Sequence, residues 1–281
     1  MTRLGFGDLV LCAGSAPAAG FLERVAAAAA HGFAAISLFP HDYQRARAAG
    51  LTDADLRAAL RDSGVAVAEI DPLLAWMPGA GAAGVSDAGR GFLATPESEF
   101  YAIADALGAR SINAALADPG DVPLDAVAGA FAALCDRAAA HGLLVTLEFL
   151  PWTKLRDAAT AASVVERAGR ANGGVMLDAW HHFRSGAPLA SVDAARVFGI
   201  QLGDAPAQAE PDPIDETLHR RLAPGEGDAP LAALVRHLAA GKCPAPIGVE
   251  VFSDALAAEP VDEIARRLAA AVRTCLRDAR I

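Results

Sequence analysis

Several things are scarce in this sequence. Its four cysteines (Cys12, Cys135, Cys243 and Cys275) are scattered and form no CxxC pair, so no paired-cysteine motif is present. They read as small buried hydrophobes in a reducing compartment. No run approaches the roughly 18 apolar residues that a membrane span requires, and no membrane partner is expected. The short apolar segment LVLCAGSAPAAG (9–20) lies beside Asp8 and reads as a first barrel strand, not a signal-peptide core. The expected location is therefore cytoplasmic. Positive charge is in deficit: 24 Lys and Arg stand against 34 Asp and Glu, a net charge of −10. That balance disfavours a phosphate backbone, so no nucleic-acid partner is expected. Small ligands fit better, either neutral or with a charge that a metal or a local Arg neutralises. Finally, the turn after the first apolar run reads AGSAPAAG, without the GxGxxG spacing that usually marks a doubly wound nucleotide-binding sheet.

What is present is a rhythm. The 281 residues are 53% hydrophobic, enough for one large domain. Short β-like runs at 8–12, 34–39, 65–70, 109–114, 143–149, 174–178, 197–202 and 246–252 alternate with helical patterns. The helices are expected at 19–31, 53–63, 97–107, 124–141, 157–169, 187–194, 228–240 and 260–277. Glycines sit where helices should stop, and Thr52, Thr95 and Asp157 sit where helices should start. Eight strands and eight helices at this length predict α/β architecture: a single (β/α)8 TIM barrel spanning 1–281. One segment breaks the rhythm. Residues 205–230 carry Pro206, Pro211, Pro213, Pro224 and Pro230 and follow the seventh strand. Long loops in compact domains are commonly functional, and this one leaves the C-terminal face of the barrel, where active sites form.

Four consecutive strands end alike. The stretch GGVMLDAWHH (173–182) runs apolar until Asp178; LLVTLE ends at Glu148, VFGIQ at Gln201 and PIGVE at Glu250. On a barrel these tips converge on one side of the mouth. Three carboxylates cannot converge without a counter-charge, and a divalent cation supplies one. Glu148, Asp178, Gln201 and Glu250 are thus the expected ligands. An all-oxygen set suits Mn²⁺ or Mg²⁺ ahead of Co²⁺ or Zn²⁺. The three tryptophans (Trp76, Trp152 and Trp180) follow strands three, five and six, and are expected to form aromatic walls around a ligand, with Phe39 and Phe183 as additions. His41 and Asp42 follow strand two. Asp204 reads equally well as a ligand-orienting group and as a loop cap.

With these tips in place, the chain resembles the xylose-isomerase-like TIM barrels, a group holding sugar isomerases and epimerases, inosose dehydratases and endonuclease IV relatives. The resemblance implies one divalent metal held at the four tips, with Gln201 where the family usually has His. The same Gln occurs in bacterial 3-dehydroshikimate dehydratases of this fold. It further implies that His181, in Asp178-Ala-Trp-His181, stands near the substrate, and that Arg221, in Arg221-Leu-Ala-Pro-Gly225-Glu-Gly227, reaches a substrate oxygen. Glu148 and Glu250 are implied as the acid/base pair. Endonuclease IV relatives use three zincs and many histidines. This chain has seven, and His31, His141 and His237 fall at helix ends or mid-helix. The expected function is a metal-dependent sugar isomerase or epimerase working next to a carbonyl through an enediolate. The alternatives are a dehydratase of a cyclic polyol or 3-dehydroshikimate-like substrate, with His181 as acid or base, and a non-catalytic sugar-binding barrel. The expected partner is a small sugar or cyclic polyol, and a homo-oligomer is left open.

Overall fold

The computed structural model describes residues 4–78, 91–117 and 122–281. Eight strands, β1 (Leu9–Leu11), β2 (Ala35–Leu38), β3 (Ala66–Leu73), β4 (Ser111–Ala115), β5 (Leu144–Glu148), β6 (Gly173–Asp178), β7 (Val197–Leu202) and β8 (Ile247–Val249), pair in parallel in chain order. β8 closes onto β1 through Leu9–Ile247, Val10–Gly248 and Leu11–Val249. The result is the expected closed barrel. The strands are buried almost throughout because helices cover their outer faces, which is why they read as continuous apolar runs and do not alternate. Among the described residues no helix is long and apolar enough to cross a membrane.

The local rules hold at most helix ends. Thr52 caps Asp53–Ser63 by accepting from the Asp55 N–H, and Asp157 caps Ala158–Ala168 by accepting from the Thr160 N–H. Gly64 and Gly108 end their helices in the left-handed region, where a side chain would be strained. Thr95 does not cap: Pro96 takes that position with no side-chain bond. The four cysteines are free and buried. His31 pairs with Asp262, His141 with Asp105, and His237 bonds the Val192 carbonyl, as expected of helix-end and packing residues.

Three departures shape the site. The helix expected at 187–194 is replaced by Ala179–Ser185, followed by short 3-10 turns at Leu189–Ser191 and Ala194–Arg196. Asp178 causes this, because its Oδ1 accepts from the His181 N–H at 2.9 Å and starts the helix at the strand tip. β3 runs past its expected end at 70 to Leu73, which carries Asp71 to the mouth. The proline-rich segment is not all loop: it holds the helix Pro213–His219 and is pinned back by bridges Asp204–Leu222 and Arg220–Ser253.

Asp204 settles as the organiser of that segment. Its Oδ1 accepts from the Ala205 and Ala229 N–H groups at 2.8 and 3.0 Å, and its Oδ2 from the Gly225 N–H at 2.8 Å. Gly227 passes so close that a Cβ would lie 2.5 Å from the Ala205 carbonyl oxygen and from Asp204 Oδ1. This accounts physically for the Pro-Gly-x-Gly spacing. Asp204→Ala should therefore loosen the whole excursion. Stranding these backbone donors should cost about 1–3 kcal/mol, read as a melting temperature lowered by roughly 2–4 °C per kcal/mol for a chain this size.

Candidate metal centre

The four strand tips do meet. Glu148 ends β5, Asp178 ends β6, Gln201 lies in β7, and Glu250 directly follows β8; all four are buried. Residues 178 and 201 are register partners, so β6 and β7 present their side chains at one level. The same level receives Asp71 from β3 and Asn113 from β4, both buried. His181 comes up on the first turn after β6, with its Nε2 3.5 Å from Glu148 Oε1 and 3.9 Å from Asp178 Oδ2. Among the described residues, one group of acid and imidazole donors lies within 4.8 Å: Glu148, Asp178 and His181.

The electrostatics of this layer are unbalanced. Asp71, Glu148, Asp178 and Glu250 are gathered around the guanidinium of Arg221, whose Nη1 is 2.6 Å from Asp178 Oδ2 and 3.9 Å from Glu250 Oε2. Burial, reinforced by the charge of Asp71, holds the Glu148 and Glu250 carboxyls well above the usual carboxylate range. Burial also lifts Asp71 to about 6, against the donors of Asn113 and Gln201. Asp178 moves the other way: burial pushes it up, but Arg221, His181 and the His181 N–H together hold it below its ordinary value. Burial drives His181 down to about 4, so its imidazole is neutral near pH 7.

The donor set fits a divalent cation. Gln201 Oε1 and Glu250 Oε1 are buried with no hydrogen-bond partner in the protein. Such atoms are costly to bury unsatisfied, and acceptors beside raised carboxyls are what a hard cation neutralises. Glu148, Asp178, Gln201 and Glu250 offer oxygens, and His181 adds a nitrogen within the tight group. That nitrogen is a departure from the all-oxygen expectation.

Above this layer opens a cavity of 670 Å³. Asp71, Glu148, His181 and Glu250 form its polar floor, and Phe39, Leu74, Phe92, Leu150, Trp152 and Phe252 are among its apolar walls. The proline-rich segment contributes Ile214, Thr217, Leu218 and His219, as its length suggested. Of the three tryptophans, Trp152 lines the cavity and meets His181 edge-on at 5.5 Å. The other two are corrected. Trp76 bonds the Ala115 carbonyl at 2.9 Å and packs edge-on against Phe131. Trp180 is fully buried, with the Arg184 and Arg221 guanidiniums over its ring. Both are buried and lie outside the cavity lining.

Arg221 is held by groups of the protein itself. Its Nε and Nη2 donate to Thr217, its Nη1 to Asp178, and it is 3% exposed. In this arrangement it steadies Asp178. His182 and Phe183 face a different pocket, beside Leu231 and Leu234. Asp42 is buried against Arg24 at 2.7 Å, whereas His41 lines the cavity. Sequence reasoning missed Asp71 and Asn113. Asp71 had a usable signal: EID repeats the design of an apolar strand ending in a carboxylate.

The raised carboxyls give a pH prediction. The folded chain holds protons on Glu148, Glu250 and Asp71 at pH values where the unfolded chain has released them. Metal-free stability should therefore fall as pH rises from the ordinary carboxylate range through the raised values, which for Asp71 is about 6. A cation competes with those protons, so Mn²⁺ affinity and the melting-temperature gain from Mn²⁺ should both grow from pH 5 to pH 8. Calorimetry in buffers of different ionisation enthalpy should register proton release on binding. A metal-induced gain that is flat across this range would contradict the assignment.

The comparisons with known proteins agree with the fold. Over 131 residues the chain is 34% identical to a 3-dehydroshikimate dehydratase of Pseudomonas aeruginosa; that stretch is 45% of this chain and 20% of the relative. The chain thus matches only about a fifth of that curated relative's length. Among solved structures, the IOLI protein with a bound zinc atom superposes with a TM-score of 0.77 at 15% identity, covering 97% of this chain and 98% of that one. An L-ribulose 3-epimerase superposes with a TM-score of 0.70 at 20% identity, covering 97% and 95%. The xylose isomerase-like TIM barrel family model matches residues 25–275. With the closed eight-stranded barrel and its convergent strand tips, this chain belongs to the xylose isomerase-like TIM barrel family.

Proposed function

We propose that this chain is a divalent-metal-dependent enzyme that moves a proton at the carbon next to a carbonyl of a small polyhydroxylated substrate. The observation that carries the reading is the floor of the cavity. There Glu148, Asp178 and His181 bring ligand atoms within 4.8 Å of one another, beside the unpartnered oxygens of Gln201 and Glu250. Glu148, Asp178, Gln201 and Glu250 would hold the cation. When bound, the cation supplies the positive charge that stabilises the oxygen of an enolate or enediolate.

The chain's own groups then divide the work. Glu148 has one oxygen held by Asn113 at 2.8 Å and the other facing His181 at 3.5 Å, so it is aimed at the cavity and backed from behind. Glu250, directly after β8, lines the cavity and lies 3.9 Å from the same Arg221 Nη1 that Asp178 holds at 2.6 Å. Two carboxyls whose proton affinity is raised by burial are suited to taking and returning a proton. Return to the neighbouring carbon is isomerisation; return to the opposite face of the same carbon is epimerisation. The epimerase among the structural neighbours is in keeping with this reading. Neutral His181, beside Glu148, is placed to relay a proton.

A second reading, dehydration of a cyclic hydroxyketone, is favoured by two observations. A curated relative is a 3-dehydroshikimate dehydratase, and the cavity walls are aromatic and aliphatic, which suits a ring face. The first proton abstraction is shared, and the readings part when a β-hydroxyl leaves. Incubating Mn²⁺-loaded protein in D₂O with ketoses, inososes or 3-dehydroshikimate, followed by proton NMR, separates them. Deuterium at carbon with the oxygen count unchanged marks isomerase or epimerase; new alkene signals mark dehydratase. Neither signal from any of these substrates would remove the proposal. Glu148→Gln should leave the fold intact and lower the observed turnover by about 10²–10⁴-fold, the usual contribution of one acid/base group.

A further inference from the structure

Gln201 is one of the four strand-tip residues proposed to hold the cation, and its side chain is ambivalent. An amide presents an oxygen and an NH₂ group of similar shape, and only the oxygen can ligate a cation. Something must decide which end faces inward. On β7 alone nothing does. The decision is made across the barrel interior, by a chain of hydrogen bonds linking β5, β4, β3 and β7.

The chain starts at Thr146 on β5, whose hydroxyl donates to Asn113 Oδ1 at 2.8 Å. With its oxygen taken, Asn113 turns its Nδ2 toward two carboxylates: Asp71 Oδ1 at 2.9 Å and Glu148 Oε2 at 2.8 Å. Asp71 then accepts from Gln201 Nε2 on its second oxygen, Oδ2, at 3.3 Å. An accepting carboxyl oxygen pairs with the NH₂ end of the amide and not with its oxygen, so this bond fixes which end of Gln201 faces Asp71. Gln201 Oε1 is left buried with no protein partner. Thr146 and Asn113 are fully buried, and Gln201 and Asp71 are 1% and 5% exposed, so water does not compete freely for these bonds.

We propose that Asp71 is a positioning residue for the cation site: by holding Gln201 Nε2 it aims Gln201 Oε1 at the metal and sets the site's preference for hard cations. The inference rests on the metal reading of the four strand tips. It assigns Asp71 a role through Gln201, not as a ligand in its own right. Partners behind metal ligands orient them in this way, and their loss typically costs about 10–100-fold in metal affinity. An amide released from Asp71 is free to turn its nitrogen inward, so the preference for Mn²⁺ over Zn²⁺ should shrink with the affinity.

The test is a double-mutant cycle read by binding, without substrate. Mn²⁺ and Zn²⁺ affinities are measured by calorimetry for the unsubstituted chain, Asp71→Asn, Gln201→Ala and the double variant, with circular dichroism reporting the fold. Asp71→Asn should weaken Mn²⁺ binding by about 10–100-fold and lower the Mn²⁺/Zn²⁺ ratio. In the Gln201→Ala background the same change should cost no more than about threefold, because the two residues form one interaction. Should Asp71→Asn not fold, Asp71→Ser runs the same cycle. An Asp71 penalty of equal size in both backgrounds makes Asp71 a ligand or a plain charge and overturns the proposal, as does no penalty in either. Those outcomes leave the cation site standing. If Gln201→Ala and Glu148→Gln both leave Mn²⁺ affinity unchanged, the metal reading itself fails.

Discussion

Everything at the mouth of this barrel depends on how buried negative charge is balanced. Asp71, Glu148, Asp178 and Glu250 lie in one desolvated layer with the guanidinium of Arg221. One cation side chain does not neutralise four carboxyls, and the shifts divide accordingly. Asp178, in direct contact with Arg221, stays ionised; Glu148, Glu250 and Asp71 are pushed toward the protonated form. Such a layer is poor for stability by itself, since buried charges rarely recover their desolvation cost. Under the proposed function it makes sense as a layer that holds a divalent ion and keeps carboxyls of raised proton affinity beside a substrate.

The surrounding fold serves this layer. Parallel strands place their C-terminal ends at one face, and helices buried against their outer sides hold those ends in register. Arg221 is delivered by the long segment after β7, which Asp204 folds back and which bridges to Ser253 through Arg220. The same segment supplies part of the cavity wall through Ile214, Thr217 and Leu218. One insertion thus brings the compensating charge and closes the binding space.

The four strand tips, Glu148, Asp178, Gln201 and Glu250, were legible because each follows a simple local pattern: an apolar run, then an oxygen-bearing side chain. The pattern works because β-strands here are short and buried and emerge at one face. It failed at Asp71 for a nearby reason. Ile70 looked like the end of its strand because Asp and Pro are strand-breaking by propensity, yet β3 continues to Leu73. It failed again at Trp76 and Trp180. Sequence position places a side chain after a strand, but not on the cavity side of the turn that follows. The Ala179–Ser185 helix was missed because its start signal, Asp178, was read as a metal ligand alone; in the fold its Oδ1 starts the helix and its Oδ2 accepts from Arg221.

What the sequence by itself determined is therefore the set of things that depend on neighbours along the chain: the count and order of the strands, the helices that alternate with most of them, several helix ends, the barrel class, and the residue types at the tips of β5 to β8. Only the tertiary structure decided which of those side chains touch. The bond from Gln201 to Asp71 joins residues 130 positions apart, and Asn113 joins Asp71 to Glu148 across 42 and 35 positions. Local periodicity carries no information about such pairs, because barrel closure brings β3 and β7 to face each other only after the intervening strands have paired. The orientation of an amide, the sharing of one guanidinium, and the raised proton affinity of a carboxyl are properties of that shared desolvated space and not of any segment.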